Sequence, residues 1–279
     1  MQNIDSALDI ALKNLGGTLA KKRKSIDVHL PLWGDEKRGT PNSFLRSALF
    51  AAIQGKDRYL TKKEILYAQK GITVKYSGER LNQEDLTLWE TLAHLARESP
   101  LGNECSFTGY SILKAMRMPT GGDNRQRLHD GITRLAGAMV EITHGGNQYF
   151  GTLIDGGKRY KEKNIYFLRL NHELIYLYGD TQYTAIDWEQ RLELRRKPLA
   201  QALHAFYSTH REPYPVKLET LYQLTGSRNS ELRDFKRQMK IALEALIAIG
   251  FLQSYQIEGD LVSVKREQTW LTHVIEKTK

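Results

Sequence analysis

Cysteine is almost missing from this chain. Cys105 is the only one in 279 residues, which excludes an internal disulfide and any zinc site built on cysteine pairs. Cys105 itself reads as a small packing residue. No apolar run approaches the roughly 18 residues needed to span a bilayer, and the N-terminus lacks a signal-peptide core, so the chain is expected in the cytoplasm with no membrane partner. Catalytic signatures are missing too. Residues 151–158 (GTLIDGGK) come near a phosphate-binding loop, but the second glycine and the lysine are out of step, and Arg159 stands where a Ser or Thr is needed. There is no G-x-S-x-G nucleophile turn, and His144-Gly145-Gly146 without one is only a turn. None of the eight histidines forms the His-x-His pair that a DNA-nicking centre with a nucleophilic tyrosine needs. His204 and His210 are spaced too widely to share one helix face as metal ligands. The expectation is a protein that is not an enzyme and holds no cofactor or metal.

What is present describes a globular chain with a polyanionic partner. At 41% hydrophobic and 26% charged residues the composition is ordinary for two modest domains. A net charge of +9 favours nucleic acid over an anionic membrane face. The positive charge is spread along the chain, which suits a footprint that engages more than one region.

The most informative stretch runs from Tyr214 to Arg266. Residues 217–225 (KLETLYQLT) have the spacing of a short helix, which Gly226 can end in a left-handed conformation. A tight turn over residues 226–229 follows, where Asn229 or Ser230 can cap the next helix. In that helix Leu232, Phe235, Met239, Ala242, Leu246 and Ile249 fall on one face. The other face of its front half carries Arg228, Arg233, Lys236, Arg237 and Lys240. Residues 251–257 and 261–266 then form a hairpin about Glu258-Gly259-Asp260. Helix, turn, helix, hairpin is the winged-helix plan, in which the second helix enters the major groove. By itself a basic helix face is equally a solvated surface.

The plan is expected twice. Residues 84–97 form an amphipathic helix, Glu104 to Phe107 a short strand, and Thr108 caps a helix reaching about Met116. A longer helix over 123–137 carries Asn124, Arg125 and Arg127 among its polar residues. Strands over 140–143, 149–154 and 165–170 follow. The turn at 157–163 holds Lys158, Arg159, Lys161 and Lys163, a wing tip suited to phosphates. Upstream, residues 42–53 read as a helix, residues 64–68 and 72–76 as paired strands, and Ser77-Gly78-Glu79 as a turn. The fold class expected is α+β, two tandem winged-helix domains, mostly helical with β-hairpin wings, over 40–184 and 185–268. A mobile basic N-terminal arm over 1–39, with a short amphipathic helix at 4–15 and the run Lys21 to Lys24, precedes them, and a tail over 269–279 follows. Leu30-Pro31-Leu32-Trp33 is an apolar island in the arm, expected to tuck onto the first domain.

Several long blocks of the sequence match a known family in order: residues 38–50 (RGTPNSFLRSALF), 76–90 (YSGERLNQEDLTLWE), 101–116 (LGNECSFTGYSILKAM), 120–143, 149–157 and 185–210, the last ending in ALHAFYSTH. In these the chain resembles the TrfA-type plasmid replication initiators, within the wider group of winged-helix Rep proteins of iteron plasmids. The resemblance spans about 30–266 and leaves the arm before Leu30 uncovered. It implies a replication initiator that binds repeated sites (iterons) in double-stranded origin DNA, opens adjacent AT-rich DNA with a share of single-strand binding, and recruits the host initiator, replicative helicase and sliding clamp. It also implies a monomer–dimer equilibrium, with dimers serving copy-number control. The main base contacts would fall on Arg228, Asn229, Ser230, Arg233, Lys236 and Arg237, with Lys240 on the same cationic face. Leu30 to Trp33 is similar to short clamp-docking peptides, without their leading glutamine. Two other readings stay open at the level of sequence. One is a transcriptional repressor of the same fold without initiation activity, and the other an origin-nicking enzyme.

Overall fold

The computed structural model describes residues 27–179 and 182–267, and the helix expected at 4–15, the run Lys21 to Lys24 and the tail over 269–279 lie outside them. In chain order the elements are β1 (Lys37–Pro41), α1 (Asn42–Leu45), β2 (Leu60–Leu66), β3 (Ile72–Glu79), α2 (Gln83–Ala96), β4 (Glu104–Thr108), α3 (Gly109–Ala115) and α4 (Gly122–Gly137). Then come β5 (Met139–His144), β6 (Asn147–Thr152), β7 (Ile154–Tyr160), β8 (Ile165–Leu170) and β9 (Tyr183–Asp187). The remainder is α5 (Trp188–Glu193), α6 (Pro198–Ser208), β10 (Val216–Lys217), α7 (Leu218–Leu224), α8 (Leu232–Ala248), β11 (Leu252–Glu258) and β12 (Leu261–Arg266). The fold is α+β.

Two units share one order of elements. In the second, α6 precedes β10, α7, α8 and the β11–β12 hairpin, and the strands lie in the order β10-β12-β11. In the first, α2 precedes β4, α3 and α4, and the matching sheet is β4-β8-β7. Each unit encloses its own apolar cluster, the first around Trp89, Leu92, Ile112 and Leu135, the second around Leu203, Leu221, Phe235 and Leu246. Burial of such side chains contributes about 1.5–3 kcal/mol each and is the main force holding each unit together.

The first unit carries more sheet than its sequence suggests. Beside the shared three-stranded sheet it has a four-stranded one, ordered β2-β3-β5-β6. The β5–β6 hairpin is drawn into it because Val74 and Tyr76 pair in register with Ile142 and Val140 and all four are buried. Ser77-Gly78-Glu79 is not a turn. It continues β3, where Ser77 stands opposite Met139.

The helix expected over 42–53 is also corrected, since only Asn42–Leu45 are helical. Beyond them the backbone amides find partners outside the segment: Ala48 donates to the Tyr67 carbonyl at 2.8 Å, Ala51 to Leu81 at 2.9 Å and Ala52 to Thr225 at 2.7 Å. An apolar periodicity therefore arose in a segment whose hydrogen bonds are long-range.

The arm expected to run to residue 39 is, in its described part, folded onto the first unit. Leu30 is buried, Trp33 stacks on Tyr178 and donates its indole N–H to His94 Nδ1 at 3.0 Å, and β1 pairs with β9. That pairing joins Lys37 to Asp187 and Pro41 to Tyr183, so β9 straddles the boundary expected at 184/185.

The first unit is bonded both to α5 and to the second unit. Arg191 on α5 and Glu90 on α2 form an ion pair of 2.7 Å with both side chains fully buried. Arg191 also donates to the Gln83 carbonyl and to Thr87 Oγ1, and Thr40 donates to Glu90 at 3.0 Å. Burial pushes Glu90 up and Arg191 down, toward their neutral forms, and the opposite charge of each partner resists this. Arg46 reaches across to Thr209 Oγ1 and to its carbonyl, each at 2.8 Å. Gly226, at φ +58°, packs so closely that a Cβ there would lie 2.9 Å from Ala51 Cβ.

Candidate nucleic-acid interface

The long helix of each unit has one buried and one open face. In α8 the buried residues are Phe235, Met239, Ala242, Leu243, Ala245 and Leu246. At about 100° per residue this sets Arg233 and Arg237 opposite the core, Lys236 and Lys240 toward the hairpin, and Gln238 and Ile241 toward the first unit. Arg233 and Lys240 are exposed, and Arg237 makes only a loose i,i+3 pair with Asp234 at 3.5 Å. Ser230 is exposed at the mouth of the helix.

Three of the residues expected to contact bases have partners within the protein instead. Lys236 donates to the Gly259 carbonyl at 2.7 Å, tying α8 to the hairpin turn. That turn carries Glu258 and Asp260, so the second hairpin tip is acidic and not built for phosphate. The Arg228 guanidinium lies 4.7 Å from the Tyr59 ring centre and reaches the Asp57 carbonyl at 3.4 Å, which turns it toward the first unit. Asn229 accepts from Ser227 through its side chain at 2.7 Å and from Tyr222 through its carbonyl. Neither Asn229 nor Ser230 caps α8, whose N-cap is Glu231 without a side-chain bond.

In α4 the buried residues are Leu128, Gly131, Ile132 and Leu135. Arg125 folds back on the Thr120 carbonyl at 2.9 Å. Arg127 is half exposed and paired with Glu84 at 2.8 Å. Asn124 and Arg127 line a cleft of about 140 Å³ with Arg134, Arg195 and Arg196.

The expected basic turn at 157–163 is a strand followed by a turn. Lys158 and Arg159 lie in β7, because Lys158 stands opposite Phe167 and Arg159 opposite Tyr166. Lys158 pairs with Glu104 at 3.2 Å, and Arg159 bonds Asn164 at 2.8 Å. Lys161 and Lys163 are exposed at the tip.

The segment joining the units sits between the two long helices, an arrangement that periodicity did not indicate. Arg195 and Arg196 line the cleft against α4. The next residues, Lys197 and Pro198, line a larger groove of about 800 Å³ against α8, with Lys56 and Arg228 at its edge. Both helices thus border one basic segment. Its signal in the sequence was the run Arg195-Arg196-Lys197 ahead of Pro198. Among the described residues no cluster of His, Cys, Asp and Glu is suited to a metal, and no helix is long and apolar enough to cross a membrane.

Two bonded units of one plan, each offering a long helix beside a shared basic segment, define a basic two-unit α+β protein. Residues 10–266 match the family model described as TrfA protein, and the chain belongs to that family. The plasmid replication initiator protein TrfA of Escherichia coli is 27% identical over 245 residues, which are 84% of this chain and 63% of that protein. The chain therefore spans less than two thirds of that relative's length. The fold is similar to a crystal structure of domains 2 and 3 of RctB, at a TM-score of 0.55 and 14% identity, covering 82% of this chain and 99% of that one. A second crystal structure of the same RctB domains gives a TM-score of 0.52 at 14% identity, with 82% and 97% covered.

Proposed function

We propose that the chain is a plasmid replication initiator in which two tandem winged-helix units bind repeated origin sites and use the binding energy to open adjacent AT-rich DNA. The observation that carries this reading is the placement of α4 and α8 on either side of the segment 195–198. Two major-groove helices held this way can meet successive faces of one duplex, about 34 Å apart. The name of the Escherichia coli relative supports the assignment to initiation.

Within α8, Arg233 and Arg237 read guanine edges, with Lys240 beside them and Ser230 at the backbone. Lys236 holds the hairpin to the helix. Arg228 and Asn229 shape the turn and border the groove, and Arg228 meets the DNA backbone once it leaves the Tyr59 ring. In the first unit Asn124 and Arg127 face the duplex from α4, Arg125 supports its first turn, and Lys161 and Lys163 grip phosphates, with Lys158 and Arg159 bracing the wing. The protein acts in the cytoplasm without a catalytic step or cofactor of its own. It meets the host initiator, helicase and clamp, and its dimers restrain copy number.

Permanganate footprinting on supercoiled plasmid carrying the cognate repeats, without ATP, tests the reading. Thymine reactivity beside a protected array is expected. Protection with no reactivity, even after host initiator is added, would make it a repressor, and open circles in Mg²⁺ would make it a nicking enzyme.

A further inference from the structure

The cations of the joining segment are not equivalent. Arg195 donates to the Arg117 carbonyl. Arg196 and Lys197 are exposed, and among the described residues neither makes an ion pair or a side-chain hydrogen bond. Arg196 also holds φ at +68°, a left-handed conformation that glycine adopts at no steric cost and arginine does not. The chain keeps a long cation where the backbone favours having no side chain. Strain of this kind gathers where a side chain has work outside the fold.

Resting on the DNA-binding reading above, we propose that Arg196 and Lys197 form a third DNA contact, gripping phosphates of the duplex between the two stretches of major groove that α4 and α8 enter. When two helices occupy successive major-groove faces on one side of B-DNA, the minor groove between them faces the protein, and its phosphate walls lie nearest whatever joins the helices. Here that is the segment from Arg195 to Pro198, with the cleft against α4 on one side and the groove against α8 on the other. Lys56 faces the same groove, and among the described residues Asp57 is the one carboxylate lining it. The occupant that this charge fits is the phosphodiester backbone, bound without regard to sequence.

The test uses the full chain with Arg196→Gly and Lys197→Gln, separately and together. Affinity for a cognate repeat and for random duplex is read by fluorescence anisotropy at several salt concentrations. Each released phosphate contact lowers the slope of log K against log [salt] by about 0.9 on duplex DNA, so the double variant should lose about 1.8. The loss should be equal on cognate and random DNA. Arg196→Gly should melt no lower than the parent, since glycine suits that backbone. Lys70→Gln with Lys75→Gln, an equal loss of charge in the β2–β3 turn and on β3, should leave the slope unchanged. A parental slope in the double variant, a loss confined to the cognate repeat, or an equal drop in the control pair would overturn the proposal. If the parent protein does not distinguish repeat from random DNA, the function proposed above fails first and the linker contact falls with it.

Discussion

Arg191 Nε lies 2.7 Å from the Glu90 carboxylate, and neither side chain has any exposure to water. The pair fastens α5, which leads into the joining segment, to α2, the central helix of the first unit. Removing one partner leaves a buried charge uncompensated, which typically costs about 3–5 kcal/mol. Arg191→Met or Glu90→Gln should lower stability by that order in urea unfolding. Replacing both with apolar residues of similar volume should recover most of the loss. If the single variants lie within 1 kcal/mol of the parent (about the size of an exposed ion pair), the pair does not hold α5 to the first unit.

Arg233 is the open cation at the front of α8. Arg233→Ala should cost about 1–3 kcal/mol on the cognate repeat and far less on random DNA. An equal loss on both would make it a phosphate contact. Lys236→Ala, by contrast, frees the hairpin turn from α8, so the β11–β12 amides nearest Gly259 should exchange hydrogen faster. Unchanged exchange there would contradict the tie.

Lys161 stands at the tip of the first hairpin, with Lys163 beside it. Lys161→Ala should weaken every DNA sequence alike and reduce the salt slope by about 0.9. An unaltered slope would remove this tip from the interface.

His94 and His204 are held neutral by the fold. Burial, with Arg38 nearby, brings His94 down to about 4, and burial beside Arg191 brings His204 down to about 3. In the unfolded chain both titrate near 6.5. Between those limits the unfolded state binds more protons, so this stability is complete above pH 6.5 and falls as the pH drops toward 4. Urea midpoints measured from pH 7 to pH 4 should decline, and His204→Gln should flatten the decline. A midpoint constant over that range would show that neither ring is buried as described.

Much of this was legible in the sequence because the helices α2, α4 and α8 carry strong 3.6-residue periodicity and the β11–β12 hairpin has a local Gly259 turn. Those features depend on neighbours in the chain. The pairing of β3 with β5 depends on residues far apart, so the first unit's second sheet was not visible, and Ser77 to Glu79 read as a turn for the same reason. Residues 46–53 misled because their apolar spacing is helical while their amides are claimed by Tyr67, Leu81 and Thr225. At the candidate site, residue type identified the cations, but the partners of Arg228, Lys236 and Lys158 lie in other elements or across a sheet. Arg196 and Lys197 went unnoticed as site residues because only packing reveals that both helices border them.

Under the proposed function one chain sets α4 and α8 on successive major-groove faces of a single site. Hydroxyl-radical footprinting of one repeat, selected in vitro by the protein and occupied by a monomer, tests it most directly. Two protected patches are expected on one face of the duplex, about one helical turn apart, with the patch under α4 lost in a variant lacking Asn124 and Arg127 side chains. A single patch that survives that change would contradict it.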